Sequence, residues 1–364
     1  MDIFLFLLSF VIILVGCEFF TNGVEWAGRR FNLSEGCVGS VLAAVGTALP
    51  ETVVPLIAIV FLSGGAESGQ EIGVGAILGA PFMLTTLALF VCGLSVLIFR
   101  KRRKTRTLHI NGKLIRRDLL FFMIAYSLAA FAALAPPELN QFKQILGFSL
   151  IPLYIVYVWY TVKKGEAACT EEELKDLYCQ RMANGIVDRK KEPLSDPVAA
   201  ELDKLLKREE PATWVILFQI VISVLAIIVG ASIFVGQIQA IAVDLNIDPL
   251  ILALIIAPIA TELPEKFNSV LWIREGKDTY AIGNITGAMV FQSCFPVTIG
   301  ILLTGWHIDL SNNVQMLQAI AIVIALLTAV VLYIRSTHKE LHVSGLLLGG
   351  VMYASFIALV MITI

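Results

Sequence analysis

The sequence predicts an all-α membrane protein of about ten transmembrane helices, arranged as two inverted five-helix repeats. Three observations carry that expectation: long apolar runs, basic residues confined to alternate connections, and an internal repeat. Of the 364 residues, 57% are apolar and only 15% charged, with a mean hydropathy of +0.83. That is too apolar for a domain whose solvent is water, so the lipid bilayer is the expected surroundings.

A bilayer core of about 30 Å needs ~20 predominantly apolar residues per helix. Runs of that kind fall near residues 2–24, 33–62, 73–99, 118–134, 142–162, 212–236, 249–273, 279–303, 314–334 and 343–363. Strand-type alternation is absent from them, which points to helices rather than barrel strands. The first run has no basic segment before it and no small-residue cleavage site after it, so it is expected to stay as a helix.

Between the runs, the connections 25–32, 100–117, 163–211, 274–278 and 335–342 hold 2, 9, 10, 2 and 2 of the chain's 27 Lys and Arg residues. The other two are Lys143, near the start of the fifth run, and Lys266, inside the seventh. The positive-inside rule then puts all five basic connections in the cytoplasm and both termini outside, in a cell (inner) membrane. The net charge of −2 carries no information about partners, because the distribution of charge matters here and the sum does not.

The longest polar stretch, 163–211, divides the chain into a first repeat at 1–162 and a second at 212–364. It contains Thr170 and Glu173 at capping-box spacing and Pro197 one residue after Asp196, so it reads as two short cytoplasmic helices joined near Pro193. Its acids are interleaved with Lys and Arg, which suits a linker better than an ion-sensing module. The six cysteines show no metal-ligand spacing or disulfide framework and read as small buried hydrophobes. His109, His307, His338 and His342 all fall in connections. Gln219, Glu18 and Asp2 read as structural, and the basic cluster at 100–106 as a topological anchor.

Shifting the chain by 214 residues matches Gly16 to Gly230, Phe20 to Phe234, Asn32 to Asn246, Thr47 to Thr261 and Leu49-Pro50-Glu51 to Leu263-Pro264-Glu265. A shift of 208 matches the segment 75–80 to 283–288. Each half holds five runs, an odd number, so the second copy is expected to insert upside down relative to the first. Substrate sites in such architectures lie near the midplane, where helices are interrupted.

The second and seventh runs each carry Leu-Pro-Glu near their middle. Proline removes one backbone donor and clashes with the carbonyl four residues earlier, which is expected to loosen the carbonyls of Gly46 and Ala260; Pro55 and Pro258 extend the disruption. Thr47 and Glu51, and likewise Thr261 and Glu265, are four apart and share a helix face. A carboxylate, a hydroxyl and loosened carbonyls form a hard oxygen donor set suited to Ca²⁺, Na⁺ or a proton. An ionised acid at bilayer depth costs a few kcal/mol, roughly 3 on insertion scales, so two symmetry-related ones point to an ion site.

At these residues the chain resembles the calcium/cation antiporter superfamily, which includes the sodium/calcium exchangers. The family's two repeats carry a G-T-S-L-P-E-like motif on the second helix and a G-S-N-x-x-N/D motif on the third, within ten helices. The resemblance spans about residues 10–99 and 224–303. It implies Glu51 and Glu265 as the central Ca²⁺ ligands, completed by Thr47, Thr261 and main-chain carbonyls such as those of Ala44 and Pro258, in a site shared with Na⁺.

The chain also departs from the family. Ala48 and Glu262 stand where the motifs have Ser. On the third and eighth runs the family's polar positions become Ala80 and Leu84, then Ala288 and Gln292, so that Gln292 alone keeps an oxygen there. With the peripheral ligands reduced, coupling to protons or to fewer Na⁺ ions is expected. Glu262 and Lys266 are four apart with the acid N-terminal, the favoured order for an ion pair. Counted with Glu51 and Glu265, three acids and one base leave a net charge of −2, the same as a site of two glutamates.

These readings lead to a secondary active antiporter that exports Ca²⁺ or a similar divalent cation against Na⁺ or H⁺. Inorganic cations and the bilayer are its expected partners. A cation channel and a non-transporting ion sensor are the alternatives from other classes. No feature supports an enzyme, a bound cofactor or nucleic-acid binding, and the sequence leaves the oligomeric state open.

Overall fold

The computed structural model describes residues 3–30, 49–62, 67–163, 176–187, 211–337 and 340–363, which are almost entirely helical. Helix α1 is Ile3–Arg30. Helix α2, Leu49–Ile57, continues into a π-helical turn at Ala58–Leu62. The third apolar run is α3, Glu67–Met83, a π-helical turn at Leu84–Ala88, and α4, Leu89–Ile98. A short α5, Arg100–Arg103, and strand β1, Thr107–His109, lead to α6, Gly112–Leu134, and α7, Asn140–Lys163. After α8, Tyr178–Val187, come α9, Thr213–Leu245, α10, Pro249–Glu275, and α11, Asp278–Leu303. The chain closes with α12, Asn313–Arg335, strand β2, Glu340–His342, and α13, Val343–Thr363. Eight of these helical stretches are long and apolar enough to cross a membrane, and two shorter apolar helices, Pro50–Val60 and Pro249–Glu262, accompany them.

Helix ends follow capping chemistry. The Asn111 side chain accepts from the N–H groups of Lys113 and Leu114 at the start of α6, and Asn312 does the same for Val314 and Gln315 on α12. Asp248 caps α10 with Pro249 in its first turn. The left-handed residues Asn246 (φ 53°) and Gly276 (φ 81°) terminate α9 and α10.

Several boundaries differ from expectation. α1 runs on past residue 24 because Trp26 is buried with Leu177, Val215 and Ile216, and its last turn carries Arg29 and Arg30, favourable at a helix C-terminus. α3 begins at Glu67, inside the expected polar connection, where Ile72 is fully buried. α9 extends to Leu245 because its first cap is Asn246. The expected strict all-α character is also corrected. β1 and β2 form a two-stranded antiparallel ribbon, pairing Thr107 with His342, Leu108 with Leu341 and His109 with Glu340. Each strand supplies one buried leucine between two outward polar residues, too short a pattern to stand out in the sequence. The expected interruption of the seventh run is absent, since α10 stays helical through Pro258 and Pro264. Neighbouring helices tolerate such prolines inside membranes. Residues 33–48 of the second run, and the expected linker helices outside 176–187, lie outside the described residues.

Helices α1 and α9 cross at reciprocal contacts. A Cβ on Gly16 would lie 2.8 Å from Ile227 Cγ1, and one on Gly230 would lie 2.9 Å from Ile13 Cγ1. The 214-residue shift maps each of these pairs onto the other. α8 docks on this helix pair: Tyr178 N–H donates to Asn22 Oδ1, Tyr178 O–H to Glu18 Oε1, and Cys179 N–H to Gln219 Oε1. Gln219 also donates to Asn22, giving the structural roles expected of Glu18 and Gln219. Elsewhere α3 lies against α10 so closely that a Cβ on Gly75 or Gly79 would come within 2.3 or 2.1 Å of the carbonyl oxygens of Leu250 and Leu254. Small residues permit this backbone approach in a membrane.

Candidate cation site

The close contact between α3 and α10 leaves a small cavity where α2 meets them. Glu51, Val54 and Pro55 of α2, Ala76 and Ala80 of α3, and Ala257, Pro258 and Thr261 of α10 line it. Glu51 is 5% exposed and Thr261 4%. The Thr261 hydroxyl donates to the carbonyl of Ala257 at 3.1 Å. Its proton is thereby turned back into the helix, and its oxygen lone pairs remain available to a cation or another donor. Ala80 lines the cavity with a methyl group.

The structure thus brings together Glu51, Thr261 and Pro258. Glu262 and Lys266 are one turn apart on the same helix and form an ion pair, Nζ to Oε2 3.4 Å, with side chains 0 and 3% exposed. Gln292 is buried on α11, and its Oε1 has no hydrogen-bond partner among the described residues. Glu262, Lys266 and Gln292 do not line the cavity. Ala44 and Thr47 lie outside the described residues, and Glu265 is described only as part of the α10 backbone.

Two polar clusters around the eighth run were not expected. Asp118 of α6 is buried and accepts from Arg117 at 2.9 Å, from the Tyr157 hydroxyl of α7 at 3.2 Å and from the Thr286 hydroxyl of α11 at 2.9 Å. On α10, Ser269 donates to the carbonyl of Ala281 and accepts from the Asn284 amide of α11. The sequence signal was present in the first case, an acid opening the apolar run at 118 and a polar residue at 286 within the repeated segment, and in the second, the polar residue at 284 of the same segment.

The sequence pattern of the sodium/calcium exchanger protein family matches residues 1–163 and 215–364. The chain belongs to this family. It is a family of transporters, not enzymes. Among proteins similar to the chain are an uncharacterized membrane protein, MJ0091, of Methanocaldococcus jannaschii, 23% identical over 88% of this chain and 87% of that protein. The inner membrane protein YrbG of Escherichia coli is 23% identical over 88% and 86%. The putative antiporter CaxA of Alkalimonas amylolytica is 23% identical over 83% and 81%. In fold the chain is similar to the crystal structure of the H⁺/Ca²⁺ exchanger CAX (TM-score 0.60, 16% identity, covering 99% of this chain and 89% of that one). It is also similar to the sodium-calcium exchanger NCX_Mj (TM-score 0.56, 20% identity, 98% and 97%).

Proposed function

We propose that the protein is a secondary active cation antiporter that exports Ca²⁺ or a similar divalent cation in exchange for Na⁺ or H⁺. The observation that carries this reading is a buried carboxylate, Glu51, facing the Thr261 hydroxyl and Pro258 across a cavity between the second, third and seventh spans. Glu51 and Glu265 are the central ligands, with Thr47, Thr261 and the carbonyls of Ala44 and Pro258 around them. Glu262 and Gln292 supply further oxygens, and Lys266 compensates charge. A hard, oxygen-only donor set suits such ions. The relatives' names, a putative antiporter among them, and the H⁺/Ca²⁺ and sodium-calcium exchangers of similar fold support the same class.

The architecture that goes with this reading is ten spans in two inverted repeats, 1–162 and 212–364, joined by a helical cytoplasmic linker at 163–211. The reciprocal Gly16–Ile227 and Gly230–Ile13 contacts support it, because they are the contacts a two-fold axis between the repeats produces. The protein sits in the cell (inner) membrane with both termini outside. In support, residues 103–109, 278 and 340–342 gather at one end of the bundle, while 133–135, 143 and 306–308 meet at the other. One half-assembly rocks or slides against the other, and an occupied site crosses while the empty, charged site does not, since uncompensated charge in low dielectric is costly.

Radiolabelled Ca²⁺ flux into proteoliposomes, with Ca²⁺, Na⁺ and pH varied independently, tests the proposal. Glu51→Gln and Glu265→Gln are each expected to abolish exchange. Full activity in both variants overturns the assignment, and current without any counter-ion identifies a channel instead.

A further inference from the structure

The seventh span holds a complete acid–base pair at bilayer depth. Pro258, Thr261, Glu262, Glu265, Lys266 and Ser269 follow one another at alternating steps of three and one, which puts their positions on one side of α10; Pro258 and Thr261 of this row line the cavity, and Glu262 and Lys266 continue the row beyond it. Lys266 lies well inside α10 and is shut off from its end. It is 2% exposed, and the end of α10 at Glu275 is nine residues further on, ~14 Å of helix rise, beyond the span of a four-carbon stem. Its ammonium instead meets Glu262 at 3.4 Å.

Two buried charges held only for stability are a poor arrangement, because a well-packed apolar pair of similar size is often as stable or more so. Their place, with Glu262 next to Thr261 and Lys266 one turn beyond it, gives them another use. With Glu51 and Glu265, the pair leaves the site at a net charge of −2, so either one divalent or two monovalent cations bring it to neutrality. Without Lys266 the same acids total −3, and a divalent ion alone leaves one charge uncompensated.

We propose that Lys266 is a tethered cation of the transport site, which supplies permanently the charge that a third monovalent ion would otherwise bring. The inference rests on the antiport reading above. Its consequence is an exchange of one divalent for two monovalent cations with no net charge moved, in which the divalent ion crosses without a companion.

The test is Ca²⁺/Ca²⁺ self-exchange in proteoliposomes at one fixed alkaline pH, with a large organic cation replacing all alkali ions. The parent protein is expected to self-exchange without alkali ions, and its net exchange to be unaffected when valinomycin and K⁺ clamp the membrane potential. Lys266→Gln is expected to lose alkali-free self-exchange about a hundredfold or more, the effect of leaving a buried acid unmatched, and to regain it when Na⁺ or K⁺ is added. Glu262→Gln/Lys266→Gln returns the count to −2, and is expected to be independent of alkali ions again, whatever its absolute rate. The proposal is overturned if Lys266→Gln self-exchanges without alkali ions like the parent, if the double variant needs them, or if the parent's net exchange follows the clamped potential. The last measurement needs no variant, so a folding defect in Lys266→Gln leaves the idea testable. Glu51→Gln separates the two levels: self-exchange retained in that variant overturns the site itself, whereas its loss there alongside an alkali-independent Lys266→Gln overturns only the tethered cation.

Discussion

The guanidinium of Arg103 grips the carboxylate of Asp278 in two parallel bonds of 2.7 and 2.6 Å, with the two side chains 4 and 1% exposed. The pair ties α5 to the first turn of α11, and the His109 N–H adds a third donor to Asp278 at 2.8 Å. Arg103 also donates to the carbonyls of Ile273 and Thr107, so one side chain collects the ends of α10, α11 and β1.

Removing Arg103 leaves Asp278 buried with an uncompensated charge, which costs about 3–5 kcal/mol. Arg103→Ala is therefore expected to lower the Tm of the purified protein in detergent clearly. Arg103→Lys is expected to restore little, because a point-like ammonium cannot make the two-pronged contact. An unchanged Tm in Arg103→Ala shows that the pair does not stabilise the fold.

That contact also marks what the sequence conceals. Arg103 belongs to the basic cluster expected to act as a topological anchor, and Asp278 reads as an ordinary connection residue, since the two are 175 positions apart. The helical, membrane-crossing character of the apolar runs, the burial of Glu51 and the helix-face pairing of Glu262 with Lys266 were legible, because bilayer length, insertion cost and 3.6-residue periodicity act locally. The ribbon between β1 and β2 and the unbroken course of α10 through Pro258 and Pro264 were not. They depend on which neighbour covers each segment, and no local pattern reports that.

The same reasoning applies to Asp118, whose carboxylate joins α6, α7 and α11 through Tyr157 and Thr286. Asp118→Asn loses acceptor capacity and the charge that faces Arg117, whereas Tyr157→Phe removes a single donor. The first is expected to destabilise by about 3 kcal/mol or more, as for a broken buried pair, and the second by about 1 kcal/mol. Thermal unfolding of the two variants in detergent, compared side by side, checks the order.

Thr261 separates binding from folding. Thr261→Val keeps the shape and removes the oxygen, and the one hydrogen bond lost, to Ala257, is worth about 1 kcal/mol. Divalent-cation affinity is expected to fall about tenfold, equivalent to ~1.4 kcal/mol, and Thr261→Ser is expected to retain it. Half-saturation of Ca²⁺ uptake in proteoliposomes measures both. Equal affinity in Thr261→Val removes the hydroxyl from the ligand set.

The contact between α3 and α10 makes the cavity, and two glycines distinguish that contact from helix propensity in general. At Gly79 an added Cβ would meet the Leu254 carbonyl oxygen at 2.1 Å and Pro258 Cγ at 2.8 Å, so the helices must part or the proline must move. At Gly236 on α9 nothing lies within 4 Å. Alanine is the better helix former by roughly 0.5–1 kcal/mol, so Gly236→Ala is expected to leave the Tm level or raise it slightly. Gly79→Ala meets a rigid backbone atom instead, and overpacking of this kind costs about 1–3 kcal/mol. Because Pro258 lines the cavity, Gly79→Ala is also expected to slow Ca²⁺ flux more than its loss of stability explains, with the transport deficit persisting at temperatures where the variant is fully folded. Normal flux and Tm in Gly79→Ala contradict the close approach of α3 and α10 on which the site is built.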